Sequence, residues 1–210
     1  MKLPDSEHTS RPWRVHELVG DLRLEDVWAL PTPGERGDFP LLVEGFASSD
    51  PAEESTGVAR ALWAIRWKLG EIFGWDDEDN GAAPVPSLRD RLPEDLRKAP
   101  RGPDFDSLPF RSLYLLDDEW AAEVANRTMR GVMHIGWVPD ERGGWRGQMA
   151  VLVKPNGLFG SAYMAAIRPF RHHIVYPPLM RRLGAEWQRR LAQERAARAE
   201  AASTPAGAAT

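Results

Sequence analysis

The stretch TMRGVMHIGWVPDERGGWRGQMAVLV, residues 128–153, decides the fold. Thr128–Val138 places Ile135 and Trp137 on one side of a strand, because successive side chains of a strand point to opposite faces. Trp145–Val153 alternates in the same way, and the residues between the two runs are rich in Pro, Asp and Gly, which indicates a turn. The stretch therefore predicts an antiparallel β-hairpin.

A long apolar helical segment follows the hairpin and begins at Gly157. Its apolar residues recur every three or four positions, which is the spacing of one helix face. They are Phe159, Tyr163, Ile167, Phe170 and Ile174, continued by Leu179, Leu183, Trp187 and Leu191. Pro169 and Pro177 interrupt the pattern and should kink the helix, because proline lacks a backbone N–H and clashes with the preceding turn.

Shorter elements precede the hairpin. Extended runs are predicted over Arg14–Leu18, Leu24–Leu30, Arg111–Leu116 and Trp120–Asn126, although Glu119–Asn126 also has the composition of a short helix. Helices are predicted over Phe39–Ala47 and Gly57–Phe73, with single turns near Ser87–Leu92 and Glu94–Lys98. A meander of strands followed by one long helix does not build a parallel sheet. The chain therefore predicts an α+β fold, in which an antiparallel sheet packs on the C-terminal helix and leaves a hollow beneath it.

The chain has the length of one ordinary domain, with 210 residues. We assign residues 1–12 to a flexible N-terminus and residues 13–198 to a single α+β domain. Residues 199–210 are mostly small or polar, which predicts a disordered tail.

Composition excludes several classes of function. The chain has no cysteine, so disulfides, thiol nucleophiles and cysteine metal sites are excluded. Its net charge of −4 gives no reason to expect binding to nucleic acid. The polar segment Met1–Ser10 has no secretory signal, and no apolar run approaches the ~20 residues of a membrane span. These features predict a cytoplasmic protein.

Two segments carry a resemblance to a known family. Gly157-Leu-Phe-Gly-Ser-Ala-Tyr163, followed by Pro169-Phe-Arg-His172, resembles the end of an uncharacterised bacterial domain family, and Asp26-Val-Trp28 resembles its start. That family is similar to the START-like superfamily, also called SRPBCC or helix-grip, and often follows a short-chain-dehydrogenase-like NAD-binding domain. The resemblance implies a helix-grip fold with a ligand cavity, and implies no catalytic residue or cofactor. This chain lacks a glycine-rich dinucleotide motif, so a Rossmann-type partner would be a separate protein, and a homodimer is the other partner to expect.

Motifs for metal ions and nucleophiles are weak. Asp76-x-Glu78-x-Asn80 imitates a calcium loop, but its twelfth position is Ser87 instead of Glu. His172 and His173 are adjacent, so on a helix they point about 100° apart and cannot easily bind one ion. The sequence therefore predicts no metal site and no cofactor.

Aromatic residues give the best functional hypothesis. The chain has nine tryptophans, which can build a core or wall an apolar cavity. We predict that a small apolar or aromatic ligand binds between the sheet and the C-terminal helix. The predicted ligand-binding residues are Arg66, Trp67, Asn126, His134, Trp137, Met149, Tyr163, Ile167 and Phe170.

Two alternatives stay open beside ligand binding. An enzyme on the same scaffold, such as a polyketide-cyclase-like or isomerising enzyme, would use His134, Glu123 or Tyr163 as acid or base. An interaction module would cover Trp63 and Trp67 with a partner protein. No catalytic residue is assigned from the sequence.

Overall fold

The predicted hairpin lies at the centre of a five-stranded antiparallel sheet. The computed structural model describes residues 1–48, 86–125, 129–156 and 176–203. For residues 202 and 203 it describes the backbone alone. The strands are β1 (Arg23–Ala29), β2 (Arg111–Leu115), β3 (Glu119–Ala125), β4 (Met129–Pro139) and β5 (Trp145–Pro155). Their order across the sheet is β1-β5-β4-β3-β2. The last four strands thus form a meander, and β1 pairs with its free edge.

The register of the hairpin agrees with the alternation of its sequence. Ile135 lies opposite Met149 and Trp137 lies opposite Gly147, so these large side chains share one face. Gly143 and Gly144 form the turn with φ angles of 89° and 81°, which residues with a side chain rarely adopt. The predicted hairpin is confirmed.

The described helices before the C-terminus are short, and the longest of them, Phe39–Ala47, has nine residues. The described α-helices are α1 (Ser6–Thr9), α2 (Phe39–Ala47), α3 (Glu94–Lys98) and α4 (Tyr176–Ser203), and 3-10 helices span Arg14–Glu17, Arg36–Asp38 and Leu88–Arg91. The predictions over Phe39–Ala47 and near 87–98 are confirmed. Pro177 is the second residue of the described part of α4, and the predicted kinks at Pro169 and Pro177 stay predictions because residues 157–175 lie outside the described residues.

One local prediction was wrong, and one alternative is excluded. The segment Arg14–Leu18 is not extended, since Arg14–Glu17 forms a 3-10 helix. The backbone N–H of Arg14 donates to the side-chain carboxylate of Glu119 and not to the backbone of a neighbouring strand. The helical alternative for Glu119–Asn126 is excluded through Ala125, because β3 pairs with β2 on one side and β4 on the other. Sheet pairing therefore overrides the helix propensity of alanine and glutamate.

One face of the sheet packs on α2 and α4, and we call it the helix face. Trp120, Ile135, Trp137 and Met149 are buried there. From the helices come Phe39, Leu42, Val43, Tyr176, Met180, Trp187 and Leu191. The prediction that the C-terminal helix packs on an antiparallel sheet is therefore confirmed, in agreement with a helix-grip arrangement.

The other face is also covered, and we call it the N-terminal face. Two segments pack on it, residues 13–19 before β1 and residues 88–96 before β2. Their buried apolar members include Trp13, Val15, Leu18, Leu88, Leu92 and Leu96. From the sheet they meet Val132, Val138, Ala150 and Leu152. The sheet therefore lies inside the protein, between two apolar layers.

Residues at both ends of the chain contact the rest of the protein. At the N-terminus, Leu3 donates its backbone N–H to Val27 at 2.8 Å and His8 is buried. At the other end α4 continues to Ser203, beyond the predicted start of the tail at residue 199. The predicted helix Gly57–Phe73, with Trp63 and Trp67, and the predicted helical residues 157–175 lie outside the described residues.

Candidate functional site

A string of buried titratable side chains crosses the N-terminal face. Glu119 begins β3 and pairs with Gly136, two residues from His134 on β4. Because the side chains of alternate residues share a face, Glu119 and His134 both point away from the helices. Both are almost fully buried, and Oε2 of Glu119 lies 3.5 Å from Nε2 of His134.

Three imidazoles continue this string toward solvent. Nδ1 of His134 lies 3.3 Å from Nε2 of His8, and Nδ1 of His8 lies 3.3 Å from Nε2 of His16. Their rings meet edge to face, with centroids 5.1 and 4.9 Å apart. His8 is buried, whereas His16 is half-buried. We call His16, His8 and His134 the histidine chain.

The N-terminal segment positions the outer two histidines. The single turn of α1 carries His8 onto the sheet, and the 3-10 helix Arg14–Glu17 carries His16 beside it. Trp13 seals the inner end, with its ring centroid 5.0 Å from that of His134. A Cβ at Gly136 would lie 2.6 Å from the Trp13 ring, so only glycine lets the indole lie this close to β4.

Burial favours the neutral form of the outer two imidazoles, His8 and His16. Burial, followed by the charges of His134 and His16, lowers the pKa of His8 to about 3. Burial also lowers the pKa of His16, although the charge of Glu119 acts in the opposite direction. At neutral pH each ring of this outer part therefore has one N–H donor and one nitrogen acceptor.

Glu119 is held by groups other than the histidines. The backbone N–H of Arg14 donates to both of its oxygens at 3.0 Å, and the hydroxyl of Tyr114 donates to Oε1 at 2.8 Å. Burial and the charge of Glu119 raise the pKa of Tyr114, so the phenol stays protonated as a donor. The carboxylate is thus fixed in place at the end of the histidine chain.

A cleft of about 220 Å³ lies on the other side of Glu119, at the end of the sheet. Three indole rings line it, from Trp13, Trp137 and Trp145, and we call it the tryptophan cleft. Asp118 and Glu119 also line it, together with Arg11 and Arg14. Burial, then the charge of Glu119, raises the pKa of Asp118. Apolar walls with a few charged groups are the usual surroundings of a small ligand.

Glu123, a candidate acid or base, has a structural environment on the same face. Its oxygens accept hydrogen bonds from the hydroxyl of Ser87 and from the backbone N–H of Leu88, the latter at 2.9 Å. These two residues begin the 3-10 helix Leu88–Arg91, whose unpaired amides need acceptors. Glu123 therefore caps this helix and lies apart from the tryptophan cleft.

The predicted ligand-binding residues do not all come together. His134 lies on the N-terminal face, whereas Trp137 and Met149 lie on the helix face, in the packed core. The remaining six, Arg66, Trp67, Asn126, Tyr163, Ile167 and Phe170, lie outside the described residues. Trp137 is the predicted residue that also lines the tryptophan cleft.

Sequence reasoning missed the partners of His134. Glu119 points to the same side of β3 as Glu123, which the sequence analysis names as a candidate. Only the exact alignment of β3 with β4 brings Glu119 beside His134, and the sequence does not show that alignment. His8 and His16 lie far away along the chain, in segments without a periodic pattern. Their spacing carries no motif by which they could have been found.

The described residues contain neither a metal-binding cluster nor a membrane-spanning helix. Among the residues that the structure describes, no group of three His, Cys, Asp or Glu side chains could hold a metal ion. The described helices include none that is both long and apolar enough to cross a membrane.

Comparison with known proteins finds a family over most of the chain. The family described as "Protein of unknown function (DUF2867)" matches residues 18–178. No curated protein and no solved structure matches the chain significantly. The match covers β1 to the start of α4, including Glu119, His134 and most of the cleft, whereas His8 and His16 precede it.

Proposed function

The chain belongs to the DUF2867 family, whose description gives no function, and we propose from the geometry of the site that it binds a small aromatic molecule in the tryptophan cleft. The observation that carries this proposal is the arrangement of three indoles around a buried carboxylate, Glu119. The proposal keeps the small aromatic ligand expected from the sequence and moves it to the end of the sheet.

The volume of the cleft limits the size of the ligand. About 220 Å³ is less than the roughly 300–1,000 Å³ of sites for drug-sized molecules. One aromatic ring, or a compact pair of fused rings, with a short substituent suits this space. The indoles would contact the faces and edges of the ring, as aromatic pairs prefer.

The charged groups of the cleft favour a ligand that donates a hydrogen bond. The guanidinium of Arg14 is already bound to Glu17 at 2.6 Å and to Asp95 at 2.7 Å. Nε of Arg11 donates to the carbonyl of Glu7 at 3.2 Å. The acceptors Asp118 and Glu119 are therefore better placed to meet a ligand than the cations. A hydroxyl or amine substituent fits them, and a carboxylate does not.

The site between the sheet and α4 is the alternative that the START-like resemblance implies. In the described part of the helix face the ring of Trp137 packs with its centroid 5.9 Å from that of Trp187 and 6.1 Å from that of Phe39. Tyr163 and Phe170, which are predicted to line that site, lie outside the described residues. The helix-grip classification, the cytoplasmic location and a Rossmann-type partner remain predictions from the sequence.

Three probes that share one ring test the proposal: benzyl alcohol, benzylamine and benzoate, each titrated into the protein and followed by ligand-observed NMR and calorimetry. We expect the alcohol and the amine to bind and benzoate to bind more weakly. Leu116→Trp fills the cleft and Trp145→Ala removes one wall, and each should weaken binding about tenfold.

Leu179→Ala is the matched control, because Leu179 is an exposed apolar residue on α4, away from the cleft. It should bind the probes as the wild type does. Wild-type protein that binds none of the three, or cleft variants that bind as well as the control, would refute the proposed function.

A further inference from the structure

We propose that the tryptophan cleft is a site of acid–base catalysis, in which Glu119 exchanges a proton with the bound molecule and the histidine chain carries protons between Glu119 and solvent. This inference rests on the binding function proposed above and adds a reaction class to it. The substrate is a small aromatic molecule with an acidic C–H, N–H or O–H. Glu119 is the catalytic residue because it lines the cleft, and His134, His8 and His16 are positioning residues that act through it.

The ring nitrogens of the histidine chain face one another in the same order at every contact, with Nε2 toward Glu119 and Nδ1 toward solvent. Nε2 of His16 faces Nδ1 of His8, Nε2 of His8 faces Nδ1 of His134, and Nε2 of His134 faces the carboxylate of Glu119. Because a neutral imidazole has one donor and one acceptor, the contacts are satisfied by two uniform sets of tautomers. In the first set every ring is protonated at Nε2 and Glu119 is ionised. In the second, every ring is protonated at Nδ1 and Glu119 carries the proton.

One proton converts the first set into the second. A proton that enters at Nδ1 of His16 lets Nε2 of that ring release its own proton to His8. His8 then releases its Nε2 proton to His134, and His134 releases its Nε2 proton to Glu119. Each ring gains one proton and loses one, so the only net change is the protonation of Glu119. The reverse transfer returns a proton to solvent.

Glu119 has one oxygen with room for this proton. Oε1 already accepts from Tyr114 and Arg14. In the part of the chain that the structure describes, Oε2 accepts a hydrogen bond from Arg14 and otherwise faces His134 at 3.5 Å. A carboxylate has about four acceptor positions, so Oε2 has the capacity to take part in proton transfer.

A purely structural role explains this arrangement less well. Tyr114 and Arg14 hold Glu119 without help from the histidines. Within the described structure Nε2 of His134 is buried without a well-formed hydrogen bond, which costs free energy in a static network. The string also leads from the cleft to the half-buried ring of His16, at the protein surface. A path between two solvent-facing ends is what a proton relay needs.

Exchange of the buried ring protons tests the relay without any ligand. In the full-length protein, NMR of ¹⁵N-labelled histidine would measure how fast the N–H of His134 exchanges with water. His16→Gln removes the outer link at a half-buried position, and we expect exchange to slow about tenfold or more. Glu94→Gln, at an exposed residue of α3 that pairs with Lys98, is the control and should leave the rate unchanged. Equal rates in wild type and His16→Gln would overturn the relay.

A generic substrate tests the chemistry. A base that removes the C3 proton of 5-nitrobenzisoxazole leaves the C–H electron pair to form a nitrile as the ring N–O bond breaks, which releases a coloured phenolate with no second reactant. We expect saturable conversion by the wild type and a loss of about a hundredfold in Glu119→Gln. His16→Gln should lower kcat and leave KM unchanged, since it does not touch the cleft.

The outcomes separate this inference from the proposed function. Binding of the benzyl probes without conversion of 5-nitrobenzisoxazole, or with conversion that survives Glu119→Gln, leaves the binding function standing and overturns the catalytic role. Failure of all three benzyl probes to bind removes the proposed function, and the inference falls with it. Saturable conversion that is lost in Glu119→Gln supports both.

Discussion

Both faces of the sheet bury apolar side chains, but the polar atoms of the two faces have different partners. On the helix face the indole N–H groups of Trp137 and Trp187 donate to the backbone carbonyls of Glu35 and Pro33, at 3.1 and 2.8 Å. On the N-terminal face three buried side chains, His8, His134 and Glu119, can titrate and lie beside one another. Asp26, which Lys2 and Tyr176 face at 3.7 and 3.5 Å, is one buried carboxylate of the helix face.

This difference indicates that the helix face stabilises the fold, whereas the N-terminal face holds the groups that can transfer protons. A bond from an indole to a backbone carbonyl is the same at every pH and holds one arrangement. Imidazoles beside a carboxylate can exchange protons, so the free energy of this cluster depends on pH and on what occupies the cleft. We therefore expect changes on the helix face, apart from Trp137 in the cleft, to affect folding alone, and changes on the N-terminal face to affect folding and proton transfer together.

The largest expected effect comes from the helix face. Trp187→Ala removes a buried ring that packs on Trp137, and it should lower the free energy of unfolding by about 4 kcal/mol. Urea denaturation followed by circular dichroism measures this loss. The exposed Leu179→Ala on the same helix is the control and should change stability by less than about 0.5 kcal/mol. A small loss in Trp187→Ala would mean that α4 is not part of the core.

Acid should destabilise the protein through the N-terminal face. The pKa of His8 is about 3 in the folded protein and about 6.5 when unfolded, so the unfolded state binds more protons between these values. The free energy of unfolding therefore decreases as the pH is lowered, and this group contributes about 3 kcal/mol of the decrease between pH 7 and pH 4. The groups facing His8 are His16 and His134, with Glu119 beyond.

The comparison of pH slopes isolates this contribution. His8→Gln has no imidazole to protonate, so its free energy of unfolding should fall less steeply over the same range than that of the wild type. Denaturation curves at several pH values would give both slopes. Parallel slopes would show that His8 does not supply the pH dependence.

Much of the fold could be predicted from the sequence because its signals are local. The hairpin of β4 and β5 follows from alternation and a glycine turn, and α2 was predicted to the residue. The class, an antiparallel sheet with a C-terminal helix, follows from the order of the elements. The strand-like interpretation of Arg14–Leu18 failed because a side chain elsewhere, Glu119, decides its backbone conformation.

Little of the site could be predicted, since its contacts are distant in sequence. His8 and His134 are 126 residues apart, and Arg14 and Glu119 are 105 apart. Alternation correctly placed His134 on the face opposite to Trp137, but it could not show that a second layer covers that face. What converts an exposed histidine into a buried one is the N-terminal segment, which has too few periodic residues to predict its packing.

The smallest expected effect is also the most specific to the N-terminal face. In Gly136→Ala the new Cβ would lie 2.6 Å from Cζ2 of Trp13, so the indole must move off the sheet. We expect a loss of about 2 kcal/mol in the free energy of unfolding, measured in urea. Because the same ring covers His134, the N–H of that imidazole should also exchange faster with water.

Gly20→Ala is the matched control, because nothing lies within 4 Å of its added Cβ. It should be neutral or slightly stabilising, since alanine reduces the freedom of the unfolded chain. If Gly136→Ala were as stable as Gly20→Ala and His134 exchanged at the wild-type rate, Trp13 would not be sealing the histidine chain. The N-terminal face would then be an ordinary apolar layer, and the contrast with the helix face would disappear.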